Sequence, residues 1–332
     1  MRKTWIVALA LVPIVAVGLV RQATAADIIV RAGLTDPLDT TFGKAMVEFK
    51  RVAEADSKGR IEVQLFPSRQ LGSIVEQLEN VRQGAQEMSM ASPGWFTQFY
   101  PRIDMLEMPF LVTDWDQAER MLNSQAFHDL VKAAETETHI RIYGSFPYGF
   151  RHVINSKRPV KTLADLKGLK LRLQNSPAHL ATFRALGASP VALAWDETYQ
   201  AVQTGVVDGL ENASTVLYAN KYPEIAKYIS LTRHLFGMLF AFINPDFYNG
   251  LSADDRAVLD RAMRAAEVLC VKLSREAEDT AIKGLRDLGA EINDVSAETL
   301  KAMRAAVEPV YAEMSPRFEP ELSGLLKAAQ GN

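Results

Sequence analysis

The chain has a single cysteine, Cys270, in 332 residues, so no disulfide can form within it and no multi-thiolate metal site is available. Its neighbours Leu269 and Val271 mark it as a small buried hydrophobe rather than a reactive thiol. Histidine is scarce as well. His128, His139, His152, His179 and His234 show neither HExxH nor other metal-ligand spacing. No GxSxG elbow, P-loop or GxGxxG follows a strand-like run, which removes the usual signatures of hydrolases and nucleotide-binding enzymes. His152 beside Arg151 offers an acid/base pair, but a hydrogen-bonded structural histidine is the simpler reading, and no positioned nucleophile accompanies it. Positive charge is not concentrated either: the net charge is −3, which argues against nucleic acid. Repeats, low-complexity tracts and Pro/Ser linkers are absent. No enzyme activity and no cofactor are expected.

What is present begins at the N-terminus. Met1, Arg2 and Lys3 form a positive start, Trp5 to Val20 is almost wholly apolar, and Ala23-Thr24-Ala25 is a small-x-small site. Residues 1–25 therefore read as a signal peptide cleaved before Ala26. The run is short of the about 20 apolar residues a membrane span needs, and Arg21 follows it; an uncleaved signal anchor is the competing reading. No cysteine lies near the cleavage site, which excludes a lipoprotein anchor. The mature chain, expected to be exported and not membrane-embedded, loses the charges of Arg2, Lys3 and Arg21 and so carries three fewer positives than −3, that is −6. Its roughly 300 residues suit two domains by the usual length prior.

Short β-branched runs alternate with helical stretches along that chain. Strands are expected at Asp27 to Gly33, Ile61 to Phe66 and Glu87 to Ser92, with helices at Thr41 to Ala55 and Ser73 to Gln83 between them. This βαβαβ order implies a parallel sheet covered by helices. The same grammar recurs at Arg141 to Tyr143, Leu169 to Leu173 and Val206 to Glu211, giving two α/β lobes joined by strands. From Ala253 to Leu288 the pattern is helical throughout, roughly 50 Å at 1.5 Å per residue. Such a helix is long enough to cross both lobes, with a kink placed near Asp279.

Four blocks stand out in order: GRIEVQLFPSRQLGS, LEMPFLV, GFRHVINSKRPVKTLADLKGLKLRLQNSP and GVVDGLENASTVLYANKYPEIAKYIS. Together they resemble the substrate-binding proteins of tripartite ATP-independent periplasmic (TRAP) transporters, over about residues 27 to 325. The resemblance implies a two-lobed α/β periplasmic binding protein fold, with a ligand cleft between the lobes, a long helix spanning both and hinge closure on binding. It implies lobe I at 27–148 plus 237–276, lobe II at 149–236 plus 277–325, and a C-terminal tail at 326–332. It further implies a periplasmic, monomeric receptor that binds a small organic acid through its carboxylate. That receptor would pass the acid to the membrane subunits of a sodium-coupled TRAP permease.

The residues themselves suit that role. Arg172 stands in KLRLQ between Leu171 and Leu173, so alternation puts the leucines on one face and the arginine on the other. A guanidinium at a strand end is fitted to bidentate carboxylate recognition, and by resemblance it is the clamping arginine; a surface ion pair is the bland alternative. Arg151, where the first lobe gives way to the second, is by resemblance a second anion contact. Asn212 ends a strand-like run and is either a ligand contact or the N-cap of a helix over Ala213 to Tyr218. Trp195 either packs on the ligand or fills a lobe core. Asn175, Phe150 and Tyr199 are further cleft candidates, and Asp196 is expected to cap a helix over Glu197 to Thr204. Ile74 replaces the acidic residue that family members binding polyhydroxylated acids often carry after QLG. The loop LTDPLDTT lacks the family's common histidine. Both departures suit a less polar acid, although sugar acid, dicarboxylate, keto acid and aromatic acid all stay open. A receptor feeding a sensor or chemoreceptor, and an exported α/β enzyme acting on an organic acid, are the alternatives.

Overall fold

The structure, a computed structural model, describes residues 26–331; the expected signal peptide lies outside them. Nine strands form one sheet: β1 Ile28–Gly33, β2 Ile61–Phe66, β3 Met88–Ala91, β4 Arg141–Asn155, β5 Lys170–Leu173, β6 Ser189–Ala192, β7 Gly209–Ala213, β8 Tyr228–Ile243 and β9 Glu291–Asp294. Their order is β2-β1-β3-β8-β4-β7-β5-β6, with β9 also on β8. The expected parallel unit is present, since β1 pairs in parallel with β2 and β3, as β5 does with β6 and β7. The sheet as a whole is mixed, however. β8 runs antiparallel to β3 and β4, and β4 runs antiparallel to β7.

Two long strands account for that difference. β4 continues twelve residues past the expected Arg141 to Tyr143, and β8 was not foreseen as a strand. Both are buried along most of their length, so beyond Ser145 β4, and β8 throughout, lack the in/out alternation that marks a half-exposed strand. Pro147 and Gly149 inside β4 also read as strand breakers. The fold absorbs them as irregularities: the β4–β8 register shifts between Pro147 and Gly149, and Gly149 takes φ +107, a conformation a side chain would strain. β3 pairs with the Phe240–Ile243 end of β8, and β7 with the Arg151–Asn155 end of β4. The long pair thus belongs to both halves of the sheet and ties them together.

The helix Ala253–Asp287 continues through Asp279 as one helix and opens with Ser252 accepting from the Asp255 N–H. It lies on the helix Thr41–Asp56 of the first half, on β4, and on the helix Ser214–Ala219 of the second. Met46, Phe49, Ala266 and Cys270 are buried where the long helix meets the first half, each large side chain contributing roughly 1.5–3 kcal/mol. Burial pushes the Cys270 thiol up to about 12, consistent with an inert hydrophobe. The C-terminal stretch departs from expectation. Residues 326–330 are no tail but the end of the helix Glu321–Gln330, with Leu325 and Ala329 buried. That helix packs on Trp115–Leu122 and Gln125–Thr138, elements placed in lobe I, not lobe II.

Candidate functional site

β5 delivers the central residue. Leu171 and Leu173 point into the core and are fully buried, while Arg172 takes the other face, flanked by β6 at Val191 and β7 at Leu210. Arg172 is only 1% exposed. Its Nε donates to the Leu193 carbonyl at 2.9 Å, but its buried Nη2 has no partner. The guanidinium carbon lies 5.8 Å from the Trp95 ring centroid and 5.4 Å from that of Trp195, within cation–π range. Burial lowers its pKa to about 10, so it stays charged at neutral pH. A buried, charged donor without a partner is costly unless something completes it.

Gln174, two residues on and so on the same face, repeats the pattern. Its Oε1 accepts from Ser92 Oγ at 2.6 Å, and its buried Nε2 has no partner. Gly94 makes room for it, since a Cβ there would lie 2.4 Å from that nitrogen.

Arg151 is held differently. Its Nε and Nη2 both donate to the Glu211 carboxylate at 2.6 Å, and its Nη1 donates to Tyr148 Oη at 2.5 Å. β4 and β7 pair Arg151 with Ala213, which sets Glu211 diagonally across on the same face. Burial alone would raise the Glu211 pKa, but the Arg151 charge, aided by His179, holds it well below the usual carboxylate range. Burial likewise opposes the Arg151 charge and Glu211 overrides it, raising the arginine further. The charge of this second arginine is therefore matched inside the protein.

Arg172, Arg151, Trp195 and Asn212 line one cleft, together with Thr35, Asp36, Trp95, Tyr148, Gln174 and an apolar wall; the space within it is narrow, about 40 Å³. The two halves meet across it, where Ser92 donates to Gln174 and Asn220 Nδ2 donates to Asp36 Oδ1 at 3.3 Å. Asn212 is not the cap of the following helix; Ala213 is, and Asn212 Oδ1 accepts from the Ala213 N–H. Nor does Asp196 cap its helix, which runs Trp195–Gln203 from Ala194, with Glu197 accepting from the Ala194 N–H.

Three expected residues stand outside the cleft lining. Phe150 packs edge-on against Phe236 in the core, because the irregularity at Gly149 puts Tyr148 and Arg151 on the cleft side and Phe150 on the other. Asn175 is exposed; strand alternation from Arg172 selects Gln174 instead. Tyr199 lies tilted against Tyr222, ring centroids 5.6 Å apart, and donates to Glu224 at 3.3 Å. Thr35, Asp36, Ser92, Trp95, Tyr148 and Glu211 were missed, since they come from segments that only the tertiary fold brings to β5. Ile74, singled out in the sequence, does line the cleft.

Behind the Arg151 pair, His179, Glu211 and His234 place their ligating atoms within 4.8 Å of one another, a grouping the linear spacing of histidines did not reveal. Both Glu211 oxygens are already engaged by Arg151, so the guanidinium supplies the countercharge there and a dication would sit against it. Burial lowers His234 to about 4, leaving it neutral at pH 7 and hydrogen-bonded to Thr232 and Glu211. His152 is likewise buried and structural, its Nδ1 accepting from the Arg233 N–H.

Two sheet halves sharing long strands, a helix across both and a cleft between them define the architecture of a binding protein for a small solute. Residues 33–317 match the family model described as bacterial extracellular solute-binding protein, family 7 (DctP), and the chain belongs to that family, the periplasmic receptors of TRAP transporters. It is 31% identical over 284 residues to the 2,3-diketo-L-gulonate-binding periplasmic protein YiaO of Escherichia coli (strain K12), covering 86% of each chain. It is 29% identical to the C4-dicarboxylate-binding periplasmic protein DctP of Rhodobacter capsulatus, covering 92% of each. Among solved structures, a TRAP periplasmic solute-binding protein of Bordetella bronchispeptica, its ligand density interpreted as pantoate, superposes with a TM-score of 0.86 at 30% identity. That match covers 92% of this chain and 99% of the other. These relatives are binding proteins, not enzymes. The expected two-lobed fold, periplasmic location and non-enzymatic class are thereby established, and among the described residues no helix is long and apolar enough to cross a membrane.

Proposed function

We propose that this protein captures a small organic acid by clamping its carboxylate on Arg172, closes over it, and hands it to the membrane subunits of a sodium-coupled TRAP permease. The observation that carries this reading is the Arg172 guanidinium, charged and buried, with a terminal nitrogen that no protein atom satisfies. A carboxylate accepts in the plane of such a fork and removes the cost of the orphaned donor. Trp95 and Trp195 flank the fork and would cover the bound group, excluding water and strengthening the charge-assisted bonds. Asn212 adds an amide from β7. Arg151 contributes through position, as a donor held by Glu211, rather than as a free countercharge. The relatives' own names support an acid, since they specify a diketo sugar acid, a C4-dicarboxylate and pantoate. In this reading lobe I is 27–148 plus 237–276, joined by the helix Glu321–Gln330, and lobe II is 149–236 with the rest of 277–325.

The test is a thermal-shift and calorimetric panel on the mature protein, freed of carried-over ligand by unfolding and refolding. Each carboxylic acid is paired with its amide. A ligand of the native state raises stability by RT ln(1 + [L]/Kd), about 2.7 kcal/mol at a hundredfold excess. Acids that shift the melt while their amides do not support the clamp; amides that bind as well as acids would falsify it.

A further inference from the structure

We propose that the cleft selects a short, branched monocarboxylate bearing a neutral oxygen at carbon 2, and that Asp36 enforces the choice by turning away a second carboxylate. This rests on the acid-receptor reading above. Among the described residues, three charged side chains line the cleft: Asp36, Arg151 and Arg172. Arg151 is matched by Glu211 through two 2.6 Å bonds, so Arg172 is the single cation left for a ligand. One carboxylate is what it can neutralise.

The second carboxylate of a diacid would find no further cation lining the cleft and would meet Asp36. That side chain is 6% exposed. Its Oδ2 accepts from Thr35 Oγ1 at 3.0 Å and its Oδ1 from Asn220 Nδ2 at 3.3 Å. Both oxygens thus serve as acceptors; burial pushes the Asp36 pKa up, while these hydrogen bonds and the nearby Arg69 charge favour the carboxylate.

The remaining chemistry fixes the rest of the ligand. Gln174 Nε2 is a buried neutral donor with no partner, on the same strand face as Arg172, and it fits an uncharged oxygen adjacent to the clamped carboxylate. Phe42, Ile74, Ala91, Val216 and Leu239 form the apolar wall. A polyhydroxylated chain would leave its hydroxyls against that wall unbonded, an unfavourable arrangement. A compact aliphatic body buries there favourably.

The experiment measures Kd by calorimetry for 2-oxoisovalerate, 2-oxoglutarate, gluconate and the amide of 2-oxoisovalerate, using refolded wild-type protein. The expected result is that 2-oxoisovalerate binds at least about tenfold tighter than the diacid or the aldonate. If 2-oxoglutarate or gluconate binds as tightly or tighter, the selectivity is overturned while the carboxylate receptor stands. If the amide equals the acid, the clamp itself fails and this inference with it. In Asp36→Asn the preference for 2-oxoisovalerate over 2-oxoglutarate should shrink by about tenfold; an unchanged ratio removes Asp36 from the mechanism. Asp36→Ser serves the same comparison should the asparagine variant not fold.

Discussion

Arg172 has no ion-pair partner among the described residues, yet it is buried and charged; under the proposed function the ligand carboxylate is its counterion. Removing it leaves a bound carboxylate unpaired in the cleft. We expect Arg172→Ala to weaken acid binding by about 2–5 kcal/mol, and Arg172→Lys to weaken it too, because an ammonium cannot reproduce the planar fork between two indoles. Calorimetry on both variants checks this, and near-normal affinity in either would count against the clamp. Arg172, Trp195 and Asn212 were legible because strand alternation and a resemblance of whole blocks pointed the same way. Arg151 was legible as a cleft residue but not as half of an ion pair, since its partner depends on the β4–β7 register. Gln174 was within reach of simple period-two counting, which Asn175 violates.

His234 supplies a second test at this scale. Burial lowers its pKa from 6.5 to about 4, so between those values the unfolded chain binds a proton that the native state refuses. Stability from this group is full above pH 6.5 and is lost as pH falls toward 4, by on the order of 3 kcal/mol. Asp104 works the other way: burial raises its pKa from 3.8 to about 6, which favours the native state as pH falls across that range. The comparison that isolates the histidine is therefore between wild type and His234→Gln. The variant's melting temperature should fall less steeply from pH 7.5 to 5, and equal slopes would contradict the assignment.

At the scale of elements, β4 and β8 position the site and were the least visible in the sequence. Their burial on both faces erases the alternation that revealed β1 and β2, whereas the helix Ala253–Asp287 announced itself by a sustained apolar period. β7 matters most directly, because it carries both Glu211 and Asn212. It fits against β4 only because residue 209 is glycine: a Cβ there would sit 2.0 Å from the Ile154 oxygen and 2.6 Å from the Asn155 Cα. Those are backbone atoms and cannot rotate away. Gly209→Ala should destabilise the fold by about 1–3 kcal/mol and weaken acid binding as well, through displacement of the Arg151–Glu211 pair. Denaturant unfolding and calorimetry on one preparation would measure both, and a variant as stable as wild type would mean that the two strands have slack.

The two halves of the molecule meet across the cleft through polar contacts such as Ser92 with Gln174 and Asp36 with Asn220, while β4 and β8 hold them together behind it. A ligand shifts such a molecule from open to closed only by the difference in its affinity for the two states. Contacts made by one half alone would not close it. Arg172 and Gln174 belong to the second half, Asp36 and Ser92 to the first, so under the proposed function the acid would bridge the two halves. If closure follows capture, the bonds between the halves form after the acid has landed on Arg172, and losing one should speed escape without slowing capture. Ser92→Ala removes one such bond, which is worth about 0.5–1.5 kcal/mol, so koff should rise roughly two- to tenfold with kon unchanged. Trp95 and Trp195, both at the cleft, give the fluorescence signal for stopped-flow mixing. A fall in kon instead would mean that Ser92 acts on the open protein and that closure does not follow capture.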